Sequence, residues 1–185
     1  FNGEIYNHED LREEMNTKYN IKWNSFSDTE TLLKLIEIFG VKETLSKVKG
    51  MFAFSCYDRK SDLLYLSRDK FGEKPLYYGL INGDFYFSSD LKNIYKLKSG
   101  CYLELNVQEF IKHNKNFYNI SRWFDISFEA QNSKINQIND FNSCRNLVEE
   151  KVFTSVEKQL IADVPVGCFL SGGTDSTLIA IALNE

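Results

Sequence analysis

Near its C-terminal end the chain runs apolar from Val164 to Leu170, stops at Ser171-Gly172-Gly173, and resumes from Asp175 with apolar Leu178, Ile179, Ile181 and Leu183. A strand, a tight loop and a helix in that order build an anion site. Two glycines let backbone N–H groups curl toward a ligand with no Cβ in the way. The N–H groups and positive dipole end of the following helix favour phosphate. Ser171, Thr174, Ser176 and Thr177 offer hydroxyls to the same oxygens, and Asp175 is placed to hold a cation bridging them. The stretch reads as a pyrophosphate cradle, which needs a parallel sheet around it to enclose a nucleotide.

The loop is not a Walker A motif, because no Lys follows the glycines. Ser-Gly-Gly-x-Asp-Ser resembles instead the loop of enzymes that adenylate a substrate and release pyrophosphate. Ser, Thr and Asp are also ordinary helix-capping residues, but the full pattern after an apolar strand favours the nucleotide reading.

The 185 residues are 43% hydrophobic and 15% aromatic, which supports a sizeable core in one or two domains. A formal charge of -4 with no basic stripe argues against nucleic acid as a partner. Apolar runs are far short of a membrane span and no signal peptide opens the chain, so the expectation is a soluble, cytoplasmic protein without a membrane partner. Cys56, Cys101, Cys144 and Cys168 are scattered with no C-x-x-C, which points to small buried hydrophobes over zinc or disulfides. Phe1 opens what reads as a strand in mid-course and Asn184-Glu185 breaks off a helix, so a longer parent is expected.

Helical spacing of Leu11, Met15 and Tyr19 predicts a helix from His8, and alternation over Ile21 to Phe26 predicts a short strand. Ser27 and Glu30 fit a capping box for a second helix that buries Leu32, Leu33, Leu35, Ile36 and Phe39 and ends at Gly40, with a short helix over 41–48. Strands follow over 51–57 and 63–67, then a hairpin over 76–88 turned by Asn82-Gly83. A short helix is predicted over 90–97, strands over 101–105 and 117–123, and a polar linker over 125–139. Leu147, Val148, Val152, Val156 and Leu160 mark an amphipathic helix leading to the loop.

On its own Asn2-Gly3-Glu4 reads as a turn. Together, however, Phe-Asn-Gly-Glu-Ile-Tyr-Asn at 1–7, Ser-Asp-Thr-Glu at 27–30, Gly-Met-Phe-Ala-Phe at 50–54, Arg-Asp-Lys-Phe-Gly-Glu-Lys-Pro-Leu-Tyr-Tyr at 68–78 and Leu-Ser-Gly-Gly-Thr-Asp-Ser at 170–176 resemble the glutamine-hydrolysing asparagine synthetases of the class II amidotransferases. The resemblance implies an α+β fold: an Ntn-hydrolase-type glutaminase of stacked antiparallel sheets with helices over residues 1–124, a linker over 125–140, and the start of an α/β ATP-pyrophosphatase (PP-loop) domain over 141–185. It implies glutamine, aspartate and ATP as small-molecule partners, ATP and Mg2+ as cofactors, and leaves a homodimer open.

By the same resemblance Asn2 and Gly3 form the oxyanion hole, and Asn2, Gly3, Glu4 and Asp28 bind glutamine. Leu170, Ser171, Gly172, Gly173, Thr174, Asp175 and Ser176 bind ATP, with Asp175 as the magnesium contact. The family's N-terminal nucleophilic Cys has no counterpart at Phe1, so residues 1–185 alone are expected to be inactive. An amidotransferase with another acceptor, or a non-catalytic binding module, is the alternative. Arg68-Asp69 is open between a site and a structural ion pair.

Overall fold

The computed structural model describes residues 1–90, 94–113, 117–132, 138, 140–162 and 164–184. It divides into two units, Phe1–Gln131 and Asn132–Glu185.

The first unit opens with β1 (Asn2–Ile5), α1 (His8–Tyr19) and α2 (Asp28–Lys47). Next come β2 (Gly50–Asp58), β3 (Leu63–Arg68), β4 (Tyr77–Ile81), β5 (Asp84–Ser88) and β6 (Tyr95–Lys96). It closes with β7 (Cys101–Asn106), α3 (Val107–His113), β8 (Tyr118–Arg122) and α4 (Ile126–Asn132). Every strand pair is antiparallel, in one sheet ordered β1-β2-β3-β7-β8 and another ordered β5-β4-β6.

The five-stranded sheet is covered on both faces. Ile5 and Phe52 pack with Leu11 and Met15 of α1 and Leu32, Leu35 and Leu45 of α2. Ala53, Leu66, Leu103 and Leu105 pack with Leu76 and Tyr78. Cys101, Leu103 and Leu105 alternate with less buried neighbours, as a strand covered unequally on its two faces requires. Helices, five strands and three strands thus stack in layers, in agreement with the α+β expectation. Asn82 (φ 54) and Gly83 (φ 91) make the β4–β5 turn, both in the left-handed region that a two-residue hairpin demands.

Local readings differ from the structure at several points. Residues 21–26 form no strand. Glu30 accepts from Asn24 N (2.9 Å) and Ser25 N (2.7 Å), and Arg12 stacks its guanidinium 4.1 Å from the Trp23 ring centre, so the segment is held as a loop. Ser27 does cap α2, accepting from Thr29 N at 3.1 Å, but Glu30 turns to the preceding loop instead of completing a capping box. Leu33 is 57% exposed, off the buried face. Gly40 (φ 74) kinks a helical span that runs on to Lys47.

The helix expected over 90–97 falls partly on residues 91–93, outside the described residues; Tyr95 and Lys96 form β6 against Tyr78 and Tyr77. The expected linker begins with α4, and its residues 133–137 and 139 lie outside the described residues, as does Asp163 before the phosphate loop. Of the cysteines, Cys101 is buried and Cys56 half-buried, whereas Cys144 and Cys168 are exposed and all four are free, so burial explains only part of the set. No helix among the described residues is long and apolar enough to cross a membrane.

The second unit holds α5 (Phe141–Lys158) and α6 (Thr174–Ala182). Asp140 caps α5 by accepting from Ser143 N at 2.7 Å. Residues 164–170 form no strand, and none of the described strands pairs with them. A groove of about 680 Å³ is lined by Leu147, Val152, Val156, Val166, Ile179 and Leu183. None of residues 171–176 lines it, so it is an apolar face behind the loop and not the anion site.

Candidate active site

β1 is an edge strand, and its register fixes which way its N–H groups point. Gly3 pairs with Phe52 and Ile5 with Gly50. Phe52 gives its N–H to Asp69 Oδ2 (3.3 Å) and its carbonyl to Asp69 N (2.8 Å), both away from β1. Hydrogen-bonded and non-bonded pairs alternate along an antiparallel ladder. Asn2 and Glu4 therefore bond to β2, as does Tyr6, whose N–H reaches Lys49 O at 2.8 Å. Gly3 and Ile5 turn their N–H groups outward. That of Ile5 is taken by Asp28 Oδ2 at 3.0 Å.

Only glycine fits at position 3. Its φ is 143°, and a Cβ there would come within 2.0 Å of Met51 O and 2.6 Å of Phe52 Cα. Gly50 faces the same constraint across the ladder, where a Cβ would meet Glu4 O at 2.0 Å. Side chains alternate, so Asn2 and Glu4 share one face of β1 while Ile5 is fully buried on the other. Asn2 lines a cavity of about 310 Å³ with Ala53, Ser55, Pro75, Leu76 and Ser88. Partial burial raises the Tyr6 pKa, and the charges of Glu73, Glu4 and Asp69 raise it further, which gathers three carboxylates on this end of the sheet. The structure thus brings Asn2, Gly3 and Glu4 onto one strand and Asp28 against its outer edge.

Behind the cavity, residues 68–75 wrap around two buried charges. Asp69 is fully buried, and its carboxylate accepts from five backbone groups: Phe52 N, Phe71 N, Gly72 N, Glu73 N and Lys74 N. Arg68, 5% exposed, donates to the carbonyls of Lys74, Gly72 and Leu97. Each charge is therefore held by backbone: among the described residues the two form no ion pair, although both side chains are buried and bonded within the fold. Four of the five donors to Asp69 are local, a pattern that an Asp heading a Gly-containing loop can signal, whereas the bond from Phe52 and the full burial are not visible in the sequence.

In the second unit Gly172 takes φ 82 and delivers the chain to α6. No side chain caps that helix. The Ser176 and Thr177 hydroxyls bond the Gly173 carbonyl at 3.1 and 2.9 Å, and Ser171 and Ser176 hydroxyls lie 3.0 Å apart. The first-turn N–H groups are left facing outward, the arrangement that suits a phosphate. Asp175 is exposed beside them, and no cluster of three metal-ligating side chains occurs among the described residues. A single carboxylate sharing Mg2+ with phosphate oxygens is compatible with that donor set. Leu170 is 64% exposed at the loop's start.

Comparison with known proteins also divides the chain in two, with the boundary inside α5 and not at Gln131. The glutamine amidotransferase domain model matches residues 1–144, and the asparagine synthase model matches residues 147–185. Asparagine synthetase [glutamine-hydrolyzing] 1 of Bacillus subtilis (strain 168) is 34% identical over all of this chain and 32% of its own length. Asparagine synthetase B [glutamine-hydrolyzing] of Escherichia coli (strain K12) is 35% identical over 97% of this chain and 31% of its own. The chain spans about a third of the length of these relatives. Among solved structures, a glutamine phosphoribosylpyrophosphate amidotransferase from B. subtilis complexed with ADP and GMP superposes with a TM-score of 0.53 at 20% identity, covering 98% of this chain and 42% of that one. That likeness concerns the fold. With an edge-strand Asn-Gly pair, a layered antiparallel body and these matches, the chain belongs to the glutamine amidotransferase domain family, followed at residues 147–185 by the start of an asparagine synthase domain.

Proposed function

We propose that the chain carries the glutaminase site and the ATP loop of a glutamine-dependent asparagine synthetase acting in the cytoplasm. Residues 1–124 serve the first reaction, 125–140 connect, and 141–185 begin the second. The observation that carries this reading is the outward N–H of Gly3, adjacent in sequence to Asn2, which lines a cavity. In it, the Gly3 N–H and the Asn2 side-chain amide donate to the oxyanion formed when the glutamine carboxamide is attacked, and such donors are worth roughly 3 kcal/mol each. Glu4 and Asp28 offer carboxylates to the substrate ammonium. None of the four cysteines lines that cavity, and partial burial pushes the Cys56 thiol pKa up, so none of them is assigned as the nucleophile, a role the family resemblance gives to an N-terminal Cys.

Glutamine and water give glutamate and ammonia at that site. ATP and aspartate give aspartyl-adenylate and pyrophosphate, and ammonia then displaces AMP to leave asparagine. The Ser171–Ser176 loop and the open start of α6 hold the phosphates, Leu170 packs against the adenosine, and Asp175 contacts Mg2+, which when bound neutralises charge on the departing pyrophosphate.

In the full-length protein Asn2→Ala should lower glutamine-dependent synthesis about 100- to 1,000-fold and spare synthesis from free ammonia. Asp175→Ala should abolish pyrophosphate release and spare glutamine hydrolysis. Loss of both half-reactions in either variant would sink the two-site assignment.

A further inference from the structure

We propose that Asp28 is a positioning residue for the oxyanion hole: by accepting the outward N–H of Ile5 it fixes the edge strand whose next outward N–H, two residues earlier, is that of Gly3. The proposal rests on the glutaminase reading of Asn2 and Gly3. β1 has four residues and is bonded to the sheet along one side only. Short edge strands fray, and a donor that must meet a developing charge within a fraction of an ångström cannot sit on a fraying strand. The outer side of β1 presents two N–H groups, and the one from Ile5 is tied 3.0 Å from Asp28 Oδ2.

Asp28 is well placed to be an anchor. It is the first residue of the 20-residue α2, whose opening turns are fastened in the core through Thr31 (0% exposed), Leu32 (4%) and Leu35 (1%). The helix dipole favours a carboxylate in this first turn, but capping does not occupy it. Ser27 performs the capping by accepting from Thr29 N at 3.1 Å. The Asp28 carboxylate is thereby released to bridge helix and strand, with Oδ1 meeting only the Thr29 hydroxyl at 3.3 Å. A carboxylate has about four acceptor positions, so holding Ile5 leaves room for a substrate ammonium on the same group. One residue then couples recognition of the amino-acid end of glutamine to the alignment of the oxyanion donor.

The two roles separate by substitution. Asp28→Asn keeps an oxygen for the Ile5 N–H but loses the charge, whereas Asp28→Ala loses both. Amide hydrogen exchange of the 185-residue chain, read by NMR, should show Ile5 exchanging at least 10-fold faster in Asp28→Ala and within threefold of wild type in Asp28→Asn. In the full-length enzyme Asp28→Asn should raise KM for glutamine and hold kcat within threefold, and Asp28→Ala should lower kcat at least a further tenfold. Ile5 exchange unchanged in Asp28→Ala, or kcat equal in the two variants, overturns the proposal. Should Asp28→Ala fail to fold, Asp28→Asn decides alone: Ile5 protection within threefold of wild type supports it, and Ile5 exchange as fast as that of Gly3 overturns it. A wild-type enzyme without glutamine hydrolysis would refute the glutaminase reading instead, and the exchange result would still report on the Asp28–Ile5 bond.

Discussion

The edge of β1 and the Ser-Gly-Gly loop, the two sites proposed to meet an anion through backbone N–H groups, are built in opposite ways. At β1 the donor is fixed from every side. Gly3 has backbone within 2.0 Å of where a Cβ would lie, its partner Phe52 is clamped by buried Asp69, and its neighbour Ile5 is held by Asp28. At the loop, nothing lies within 4 Å of a Cβ added to Gly172, and no side chain caps α6. On the proposed function, the first site would serve a small oxyanion that exists only in passing and must find its donors already aligned. The second would serve a bulky phosphate chain that supplies much of its own site through charge and a bound cation.

Substitutions that add a methyl group to each glycine test this contrast most severely. Gly3→Ala should destabilise the first unit by about 4 kcal/mol, from overpacking against backbone together with an unfavourable φ, as measured by urea denaturation. Gly172→Ala meets only the left-handed φ penalty of about 1 kcal/mol. Comparable losses at the two positions would erase the distinction. Asp69→Ala comes next, at about 3 kcal/mol, because five N–H groups lose their acceptor inside the fold. Nothing in the loop's own hydrogen bonding should respond to it.

The smallest effect belongs to Glu30, which organises the segment before Asp28. Bonds from Asn24 and Ser25, with Arg12 nearby, lower its pKa from 4.5 to about 2. A depressed carboxyl contributes fully above its unfolded value and loses that contribution as pH falls through the folded one. Trp23 fluorescence should therefore change between pH 4.5 and about 2. The change should be absent in Glu30→Gln, with Trp123 common to both.

Much of this was legible locally. Asn82-Gly83 specifies its hairpin because few other residues tolerate two consecutive left-handed conformations, and Leu11 and Met15 repeat at the spacing of one helical face. Ser27 and the Ser-Gly-Gly loop announce their helices. What escaped depends on side-chain contacts and pairings that composition does not reveal, whether near or far in sequence. The alternation of Ile21 to Phe26 mimics a strand, yet Glu30 and Arg12 hold the segment as a loop. Val164 to Leu170 has strand composition without a partner strand, and Tyr95-Lys96 is a strand only because β4 lies beside it. At the site, Asn2, Gly3 and Asp28 stood out through company with other motifs, whereas the bond from Ile5 to Asp28 and the burial of Asp69 depend on three-dimensional closure.

That closure bears on how long the folded state lasts. Asp69 takes bonds from Phe52 on β2, from Phe71 to Lys74 on its own loop, and, through its carbonyl, from Gly100 at the start of β7 at 2.8 Å. These meet only after three separated stretches of chain have come together, which is the slow part of forming a sheet rich in non-local pairs. Interactions completed after the rate-limiting encounter act on the escape rate from the native state and leave the rate of reaching it nearly unchanged. Asp69→Ala should accordingly raise the unfolding rate more than it lowers the refolding rate, which would make the buried carboxylate a latch in time.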